Sequence, residues 1–238
     1  MHTPKFSTSR VVADRDPQSR RRFLRTSGIG LATAGLILTG CGDDDDGPMV
    51  MPDQTVKLGT GDIGILNYAY ALEQLEAAFY AEVIKGSYFN GASEEEQQIL
   101  SDLEAHERAH ADFFRTVLTS VNAAIPALEV NFSSIDFSSR NSVLGTAQTF
   151  EDLGVSAYNG AGKLLENPDY LVIAGKIVSV EARHAAAIRD INSNSPTAFA
   201  GDDTINENGL DVARSPSEVL SMAGAFITTR IDASGLPQ

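Results

Sequence analysis

A duplicated pair of side chains constrains this chain more than any other feature of its sequence. Glu107 and His110 stand three residues apart in a stretch with helical periodicity, and Glu181 and His184 repeat the spacing 74 residues later. Residues three apart lie on the same face of an α-helix, so each carboxylate projects beside its imidazole. The pattern therefore predicts two helices that each present one acid and one histidine on a single face.

Each pair is preceded by a second repeated pattern, a glutamate followed seven residues later by a tyrosine. Glu73 and Tyr80 precede the first pair, and Glu151 and Tyr158 precede the second. Seven residues are close to two helical turns, so each glutamate shares a stripe with its tyrosine. The two patterns occur twice in the same order, which indicates an internal duplication of a helix pair.

Four segments have the apolar spacing of amphipathic helices. A stretch without helical periodicity, residues 122–141, separates the second from the third. Two close helix hairpins joined by one long crossover are typical of a ferritin-like four-helix bundle rather than of a simple up-and-down bundle. We therefore predict an all-α bundle over residues 62–191, with helices at about 62–85, 94–121, 142–165 and 170–191.

The segments on either side of the bundle have a different composition. Residues 41–61 include four consecutive aspartates together with prolines and glycines, and such a segment buries too little apolar surface to fold. We predict that it is a flexible acidic tether. Residues 192–238 are mostly polar, and one amphipathic stretch at about 218–227 predicts a short helix in this C-terminal extension.

The first 40 residues resemble an export signal. Residues 19–25 resemble the twin-arginine signal, and the apolar run that follows at 29–38 is too short to span a bilayer. The run ends in Leu-Thr-Gly-Cys, which resembles a lipoprotein cleavage box with Cys41 as the lipidated residue. The alternative for Cys41 is a buried or free thiol. We expect an exported protein, periplasmic or at the cell surface, that a lipid on Cys41 anchors to the membrane.

The charge of the chain restricts its partners. Without residues 1–40, which hold seven Lys/Arg and two Asp/Glu, the chain has 11 basic and 30 acidic residues and a net charge of −19. Such a protein repels nucleic acid, so we expect no nucleic-acid partner. Cys41 is the only cysteine, and its acylation leaves no thiolate, so a metal would have to bind oxygen and nitrogen ligands.

Carboxylates on the inner stripes of a helical bundle need a partner, because an unpaired buried carboxylate is very costly. Two helices that each give one glutamate, and two that each give a glutamate and a histidine, supply four carboxylates and two imidazoles. That set suits two adjacent divalent metal ions.

The chain resembles the ferritin-like superfamily, and within it the exported ferritin-like proteins that include desiccation-related proteins. The resemblance covers about residues 62–191 and is carried by residues 72–80, 105–110, 150–158 and 180–184. It implies that Tyr80 and Tyr158 orient the ligand carboxylates. It leaves open whether Glu151 or Glu181 joins Glu107 as a bridging ligand. The di-metal ligands that it implies are Glu73, Glu107, His110, Glu151, Glu181 and His184.

Two further side chains compete for roles near these positions. His106 makes the sequence His-Glu-x-x-His, the helical zinc-protease motif with Glu107 as general base. The duplication argues against that interpretation, because Val180 stands where His106 would repeat. Glu76 lies one turn after Glu73, but its counterpart is Gly154. We therefore predict that Glu76 supports the site from outside the ligand set.

We expect an exported di-metal carboxylate protein that handles O2, peroxide or Fe(II), because two adjacent metals with oxygen-rich ligands can share the electrons that dioxygen or peroxide takes up. Two iron ions are the expected cofactor, with manganese as the alternative, and the activity would be of the oxidoreductase or ferroxidase type. A passive metal-binding protein is the second hypothesis. A metal-free, stress-protective surface lipoprotein is the third. The expected partners are metal ions and the membrane, and a homodimer is a possible assembly.

Overall fold

The computed structural model describes residues 55–193 and 195–237, so the predicted export signal, Cys41 and most of the predicted tether lie outside the described residues. The described residues form six α-helices and two short strands, which confirms the all-α prediction. The helices are α1 (Gly61–Val83), α2 (Ser87–Gly91), α3 (Glu94–Ser120), α4 (Arg140–Gly162), α5 (Pro168–Asn192) and α6 (Pro216–Ala223); the strands are β1 (Val56–Lys57) and β2 (Ile231–Asp232).

The four long helices form two hairpins. Helix α1 packs mainly against α3, and α4 mainly against α5. Residues 121–139 connect the hairpins, so the predicted ferritin-like bundle with a long crossover is confirmed. Within residues 55–193 and 195–237, no helix is both long and apolar enough to cross a membrane.

Local capping explains where the long helices begin. The side chains of Ser93 and Ser139 accept hydrogen bonds from the first turns of α3 and α4. Asn167 does the same for α5, which begins with Pro168. These caps satisfy amides that lack partners inside the helix. The four long helices begin and end within three residues of the predicted bounds, whereas the short helix α2 falls between the first two predicted helices, where no helix was predicted.

The crossover is packed on the core rather than looped out from it. The ring of Phe79 on α1 lies 5.0 Å from that of Phe150 on α4, and the crossover adds Phe132 at 6.0 Å and Phe137 at 6.1 Å. The buried side chain of Asn67 donates to the carbonyls of Leu58 and Ala123 at 2.9 and 2.8 Å. Aromatic packing and this amide therefore hold the crossover against α1.

The folded unit begins earlier than predicted. Strand β1 pairs with β2 in parallel, and Leu58 is fully buried. The flexible tether predicted for residues 41–61 therefore does not extend over residues 55–61. Two strands of two residues each, drawn from opposite ends of the described chain, give too short a pattern to be recognised in a sequence.

The C-terminal extension is fastened to the second hairpin. A Cβ atom at Gly160 would lie 1.7 Å from the carbonyl oxygen of Arg214, so only glycine permits the extension to pass this close to α4. The guanidinium of Arg189 on α5 pairs with Asp152 on α4 and with Asp203 in the extension. The predicted short helix is present as α6, which begins with a capping box between Ser215 and Glu218.

Candidate metal centre

The six predicted ligands converge at the middle of the bundle, with at least one from each long helix. They form two overlapping groups of four, and within each group one candidate ligand atom per residue lies within 4.8 Å of the others. We name each group by its histidine. The His110 group is Glu73, Glu107, His110 and Glu181, and the His184 group is Glu107, Glu151, Glu181 and His184.

Two carboxylates belong to both groups. Glu107 on α3 and Glu181 on α5 are fully buried. Neither oxygen of either residue has a hydrogen-bond partner among the described residues. A carboxylate of which neither oxygen is held by a hydrogen bond from a hydroxyl can reach two cations at once. Of the bridging pairs that the sequence left open, the geometry favours Glu107 with Glu181.

The other two carboxylates each have one oxygen engaged by a tyrosine. The hydroxyl of Tyr80 donates to Glu151 Oε1 at 2.5 Å, and that of Tyr158 donates to Glu73 Oε1. Each tyrosine therefore orients the glutamate of the other repeat rather than its own. Burial and the adjacent carboxylate raise the pKa of both tyrosines well above the ordinary value, which keeps the hydroxyls protonated as donors.

Both histidines turn Nδ1 toward the carboxylates. His110 Nδ1 lies 2.8 Å from Glu181 Oε1 and 3.4 Å from an oxygen of Glu73. His184 Nδ1 lies 2.7 Å from Glu107 Oε1 and 3.6 Å from Glu151 Oε2. The same nitrogen thus faces the centre in both repeats.

Eight buried oxygen and nitrogen atoms of these six residues make no hydrogen bond of acceptable geometry within the described part of the chain, although two Nδ1 atoms lie 2.7–2.8 Å from carboxylate oxygens among them. Two are the Nδ1 atoms of His110 and His184, four belong to Glu107 and Glu181, and one each to Glu73 and Glu151. Buried polar atoms are rarely left without partners, so eight of them around one point require an explanation. Carboxylate oxygens and imidazole nitrogens suit divalent iron or manganese, and the residues present therefore fit a pair of such ions.

The crowding of these groups changes their affinity for protons. Burial, with the neighbouring carboxylates, raises the pKa of Glu73 and of Glu151 well above the ordinary value. Burial alone would also raise the pKa of Glu107, but close contacts with His110 and His184 lower it to about 2. Burial would lower the pKa of the histidines, yet the carboxylates raise it to about 12 for His110 and to about 10 for His184. A cation that binds here must displace protons.

His106 contacts the centre in a way that the duplication did not predict. Its Nδ1 lies 2.9 Å from Nε2 of His184, and the two rings stack at 5.1 Å. It belongs to neither ligand group, so the zinc-protease arrangement with His110 is not formed. His106 lies one turn before His110 on α3, so helical spacing alone places it on the side of the helix that faces the centre. The duplication does not predict this role, because Val180 stands at the corresponding position of the other repeat.

Glu76 is the second feature found in only one repeat. Its side chain is buried, and its Oε1 lies where a Cβ atom at Gly154 would come within 2.9 Å. Burial, followed by the charges of Glu181 and Glu107, raises the pKa of Glu76 well above the ordinary value. Glu76 lies outside both ligand groups. It fills the space that the missing side chain of Gly154 leaves in the opposite helix.

Comparison with known proteins gives one family match. Residues 61–194, more than half of the chain, match the family model described as a ferritin-like domain. The match spans α1, α3, α4 and α5, and therefore every residue of the two ligand groups. No curated protein matches the chain.

Proposed function

We propose that this chain, which belongs to the ferritin-like domain family, is a di-iron carboxylate protein that handles O2, peroxide or Fe(II). One observation carries the proposal: eight buried ligand-type atoms converge without hydrogen-bond partners among the described residues. A bundle that served only as a scaffold would gain stability by replacing these acids with apolar side chains. Manganese is the alternative metal, because the same ligand set suits it.

The overlap of the two groups suggests a role for each ligand. Glu107 and Glu181 would bridge the two ions, since each belongs to both groups and no hydroxyl engages either carboxylate among the described residues. Glu73 and His110 would complete the first position. Glu151 and His184 would complete the second. Tyr80 and Tyr158 would hold the two terminal carboxylates in orientation through their hydroxyl groups.

Two adjacent iron ions at this centre would supply the electrons that dioxygen or peroxide takes up. The protein contributes a site from which bulk water is largely excluded, because the four carboxylates are at most 1% exposed. His110 is the least enclosed ligand, with 14% of its side chain exposed, and its side of the bundle is therefore the shortest path from solvent. The tyrosine hydroxyls keep their protons, so they donate to the carboxylates and do not compete as ligands.

Metal analysis and oxygen uptake test this proposal together. The domain should bind about two iron ions per chain, and addition of Fe(II) should start oxygen consumption that stops when the iron is oxidised or chelated. The His110→Ala/His184→Ala double variant is the matched control and should have lost both properties. Full metal binding without oxygen consumption would identify a passive metal-binding protein. Absence of bound metal would favour the stress-protective surface protein and would contradict the centre.

We also propose that the protein is exported and anchored through Cys41. The support is sequence alone: the twin-arginine pattern runs into Leu-Thr-Gly-Cys in the expected register. Two or three acyl chains on a lipoprotein give firm anchoring at about 0.8 kcal/mol per buried CH2. Fractionation of cells that express the natural chain should recover it with the membrane, and Cys41→Ser should release it. A natural chain found entirely in the soluble fraction would contradict the anchor. The desiccation-related branch of the superfamily fits such a location.

A further inference from the structure

A second feature of the molecule is an exposed apolar surface at one end of the bundle, where α1 and α5 begin and α3 and α4 end. Four large apolar side chains lie there, and 39–58% of each is exposed. Two belong to the end of α3 and two to the first turns of α5. We name this group the end surface; it consists of Phe113, Val121, Leu171 and Val172.

The end surface brings together two helices that are distant in sequence. Phe113 and Val117 of α3 line the same small cleft as Tyr170 of α5, so the two helix ends are neighbours. Single exposed apolar side chains are normal on a soluble protein and need no partner. A group of them on neighbouring elements marks an interaction surface instead. The end surface therefore fits a partner that offers an apolar phase or an apolar face.

The chain enters the folded domain beside this surface. The amide of Asn67 on α1 donates to the carbonyls of Leu58 and Ala123 at 2.9 and 2.8 Å, so the first described residues lie beside the end of α3. Asp62, at the start of α1, accepts a hydrogen bond of 2.7 Å from the amide of Glu166 in the turn before α5. The preceding part of the chain, which contains the proposed lipid anchor, therefore joins the bundle at the end surface.

The length of the connection favours this end of the bundle over the other. Residues 42–54 separate Cys41 from Thr55, the first described residue. A chain of that length spans at most about 50 Å. The opposite end of the bundle is about 40 Å away, because α3 has 27 residues that each rise about 1.5 Å. A bilayer that holds Cys41 meets the end surface without stretching the connection, whereas the opposite end would need it almost fully extended.

Charge also distinguishes the two ends of the bundle. At the opposite end, exposed acidic side chains outnumber exposed basic ones; the acids there include Glu82, Glu94, Glu95, Asp136 and Asp190. Beside the end surface the exposed charges have both signs, and they include Lys57, Lys163, Glu166, Asp169 and Arg230. The negative surface potential of a phospholipid membrane repels an acidic surface. The end surface is therefore the better suited of the two to approach a membrane.

We propose that the end surface docks on a zwitterionic phospholipid bilayer, with its apolar side chains at the boundary between headgroups and acyl chains. Apolar faces of membrane-bound helices enter this boundary by about 5–10 Å. The connection to Cys41 keeps the surface at a high local concentration near the bilayer, so a weak intrinsic affinity suffices. The docking rests on the proposed lipid anchor and is independent of the metal centre.

A single introduced tryptophan tests which end of the bundle contacts lipid. The chain has no tryptophan, and its only cysteine, Cys41, can be coupled to a maleimide lipid in phosphatidylcholine vesicles. Coupling of the purified full chain supplies the anchor whether or not cells acylate it. With brominated phosphatidylcholine, which quenches tryptophan on contact, Val172→Trp should lose most of its emission. Gly91→Trp at the opposite end is the matched control and should keep its emission, since a Cβ atom at Gly91 meets nothing within 4 Å.

A charge placed in the end surface should release it from the bilayer. In the Val172→Trp background, Leu171→Asp should restore the emission to the level of Gly91→Trp, because a carboxylate at the lipid boundary would lose hydration. Val121→Asp should act in the same way and serves as a second variant if the first does not fold by circular dichroism. Met222→Asp is the control, because Met222 is 46% exposed on α6, outside the end surface.

Three outcomes would overturn the docking. The first is equal quenching of Val172→Trp and Gly91→Trp, and the second is quenching that persists in Leu171→Asp and in Val121→Asp. The third is shielding of Val172→Trp that needs no lipid and rises with protein concentration, which would show that a second copy of the chain covers the surface. Docking of the coupled chain, combined with a natural chain that stays soluble in cells, would contradict only the anchor. A natural chain found at the membrane, combined with equal quenching of the two reporters, would contradict only the docking.

Discussion

The two repeats supply the same kinds of side chain to the candidate metal centre, but the residues around those side chains differ. The His110 side chain is 14% exposed, and that of His184 is 4% exposed, with its outer nitrogen against His106. Glu76 belongs to one repeat, and Gly154 takes its place in the other. The two repeats thus match in the groups that face the proposed metal positions and differ in the groups behind them. We therefore expect two metal positions that are similar in ligands but unequal in affinity.

The largest effect on bound metal is expected when a carboxylate that belongs to both ligand groups is replaced. Glu107→Gln or Glu181→Gln should reduce the bound metal from about two ions per chain to nearly none, because each carboxylate belongs to both groups. Glu73→Gln or Glu151→Gln, which alters one position, should leave about one ion. Elemental analysis after dialysis measures the difference. Retention of one ion in either variant would show that the carboxylate changed in it is not shared by the two positions.

The next test separates the positions through their histidines. His110→Ala and His184→Ala should each lose about one of the two ions, and the double variant should lose both, because the repeats place one imidazole at each position. Elemental analysis on variants confirmed as folded by circular dichroism provides the measurement. A double variant with its full metal content would contradict the assignment of both histidines.

Much of this centre follows from the sequence, and the reason is geometric. Helical spacing determines which side chains share a face, so Glu107 with His110, and Glu181 with His184, could be predicted from position alone. That Glu107 and Glu181 belong to both ligand groups could not be predicted from the sequence. It depends on which carboxylates already accept a hydrogen bond from a hydroxyl. The tyrosines that engage them reach across from the opposite repeat, and such contacts depend on how the two hairpins dock.

The features that the sequence did not predict are contacts without a repeated or local sequence pattern. His106 lacks a counterpart in the second repeat, so an inference from duplication discards it. The pairing of β1 with β2 and the bonds of Asn67 to the crossover join segments that are far apart in sequence. A window of sequence contains only one side of such contacts.

The shifted pKa values of the buried glutamates and histidines predict how the stability of the metal-free protein changes with pH. The folded state raises the pKa of Glu73, Glu76 and Glu151, and that of His184 to about 10. Each of these groups holds its proton to higher pH in the folded than in the unfolded chain. Stability therefore falls as pH rises above about 5, by about 1.4 kcal/mol per pH unit for each extra proton bound.

Thermal unfolding in the presence of a chelator measures this trend. The Tm of the metal-free protein should be lower at pH 8.5 than at pH 5.5, and added metal should raise it more at the higher pH, where fewer protons compete. Glu107, with its pKa lowered to about 2, acts in the opposite direction only below about pH 4.5. A metal-free Tm that increases from pH 5.5 to pH 8.5 would contradict the assigned directions.

A smaller effect is expected from His106, the partner of His184 alone. His106→Ala should weaken metal binding at the His184 position by roughly 10-fold to 100-fold, the usual range for a group that orients a ligand. The His110 position should keep its affinity. Calorimetric titration resolves the two binding steps. A loss as large as that of His184→Ala would mean that His106 acts as a ligand rather than as a support. Equal weakening of both steps would contradict the assignment of His106 to the His184 position.

The smallest effect concerns Glu76, which competes with Glu73 for a role on α1. Glu73 repeats as Glu151 and lies in a ligand group, whereas Glu76 faces Gly154 and lies in neither group. A buried acid near two cations adds attraction without contact, so Glu76→Gln should weaken binding by no more than about tenfold, the lower end of the range for supporting groups. Glu73→Gln should remove a whole ion. Titration of the two variants with metal shows which of the two glutamates on α1 is a ligand. A larger loss of metal in Glu76→Gln than in Glu73→Gln would contradict the correspondence of Glu73 with Glu151.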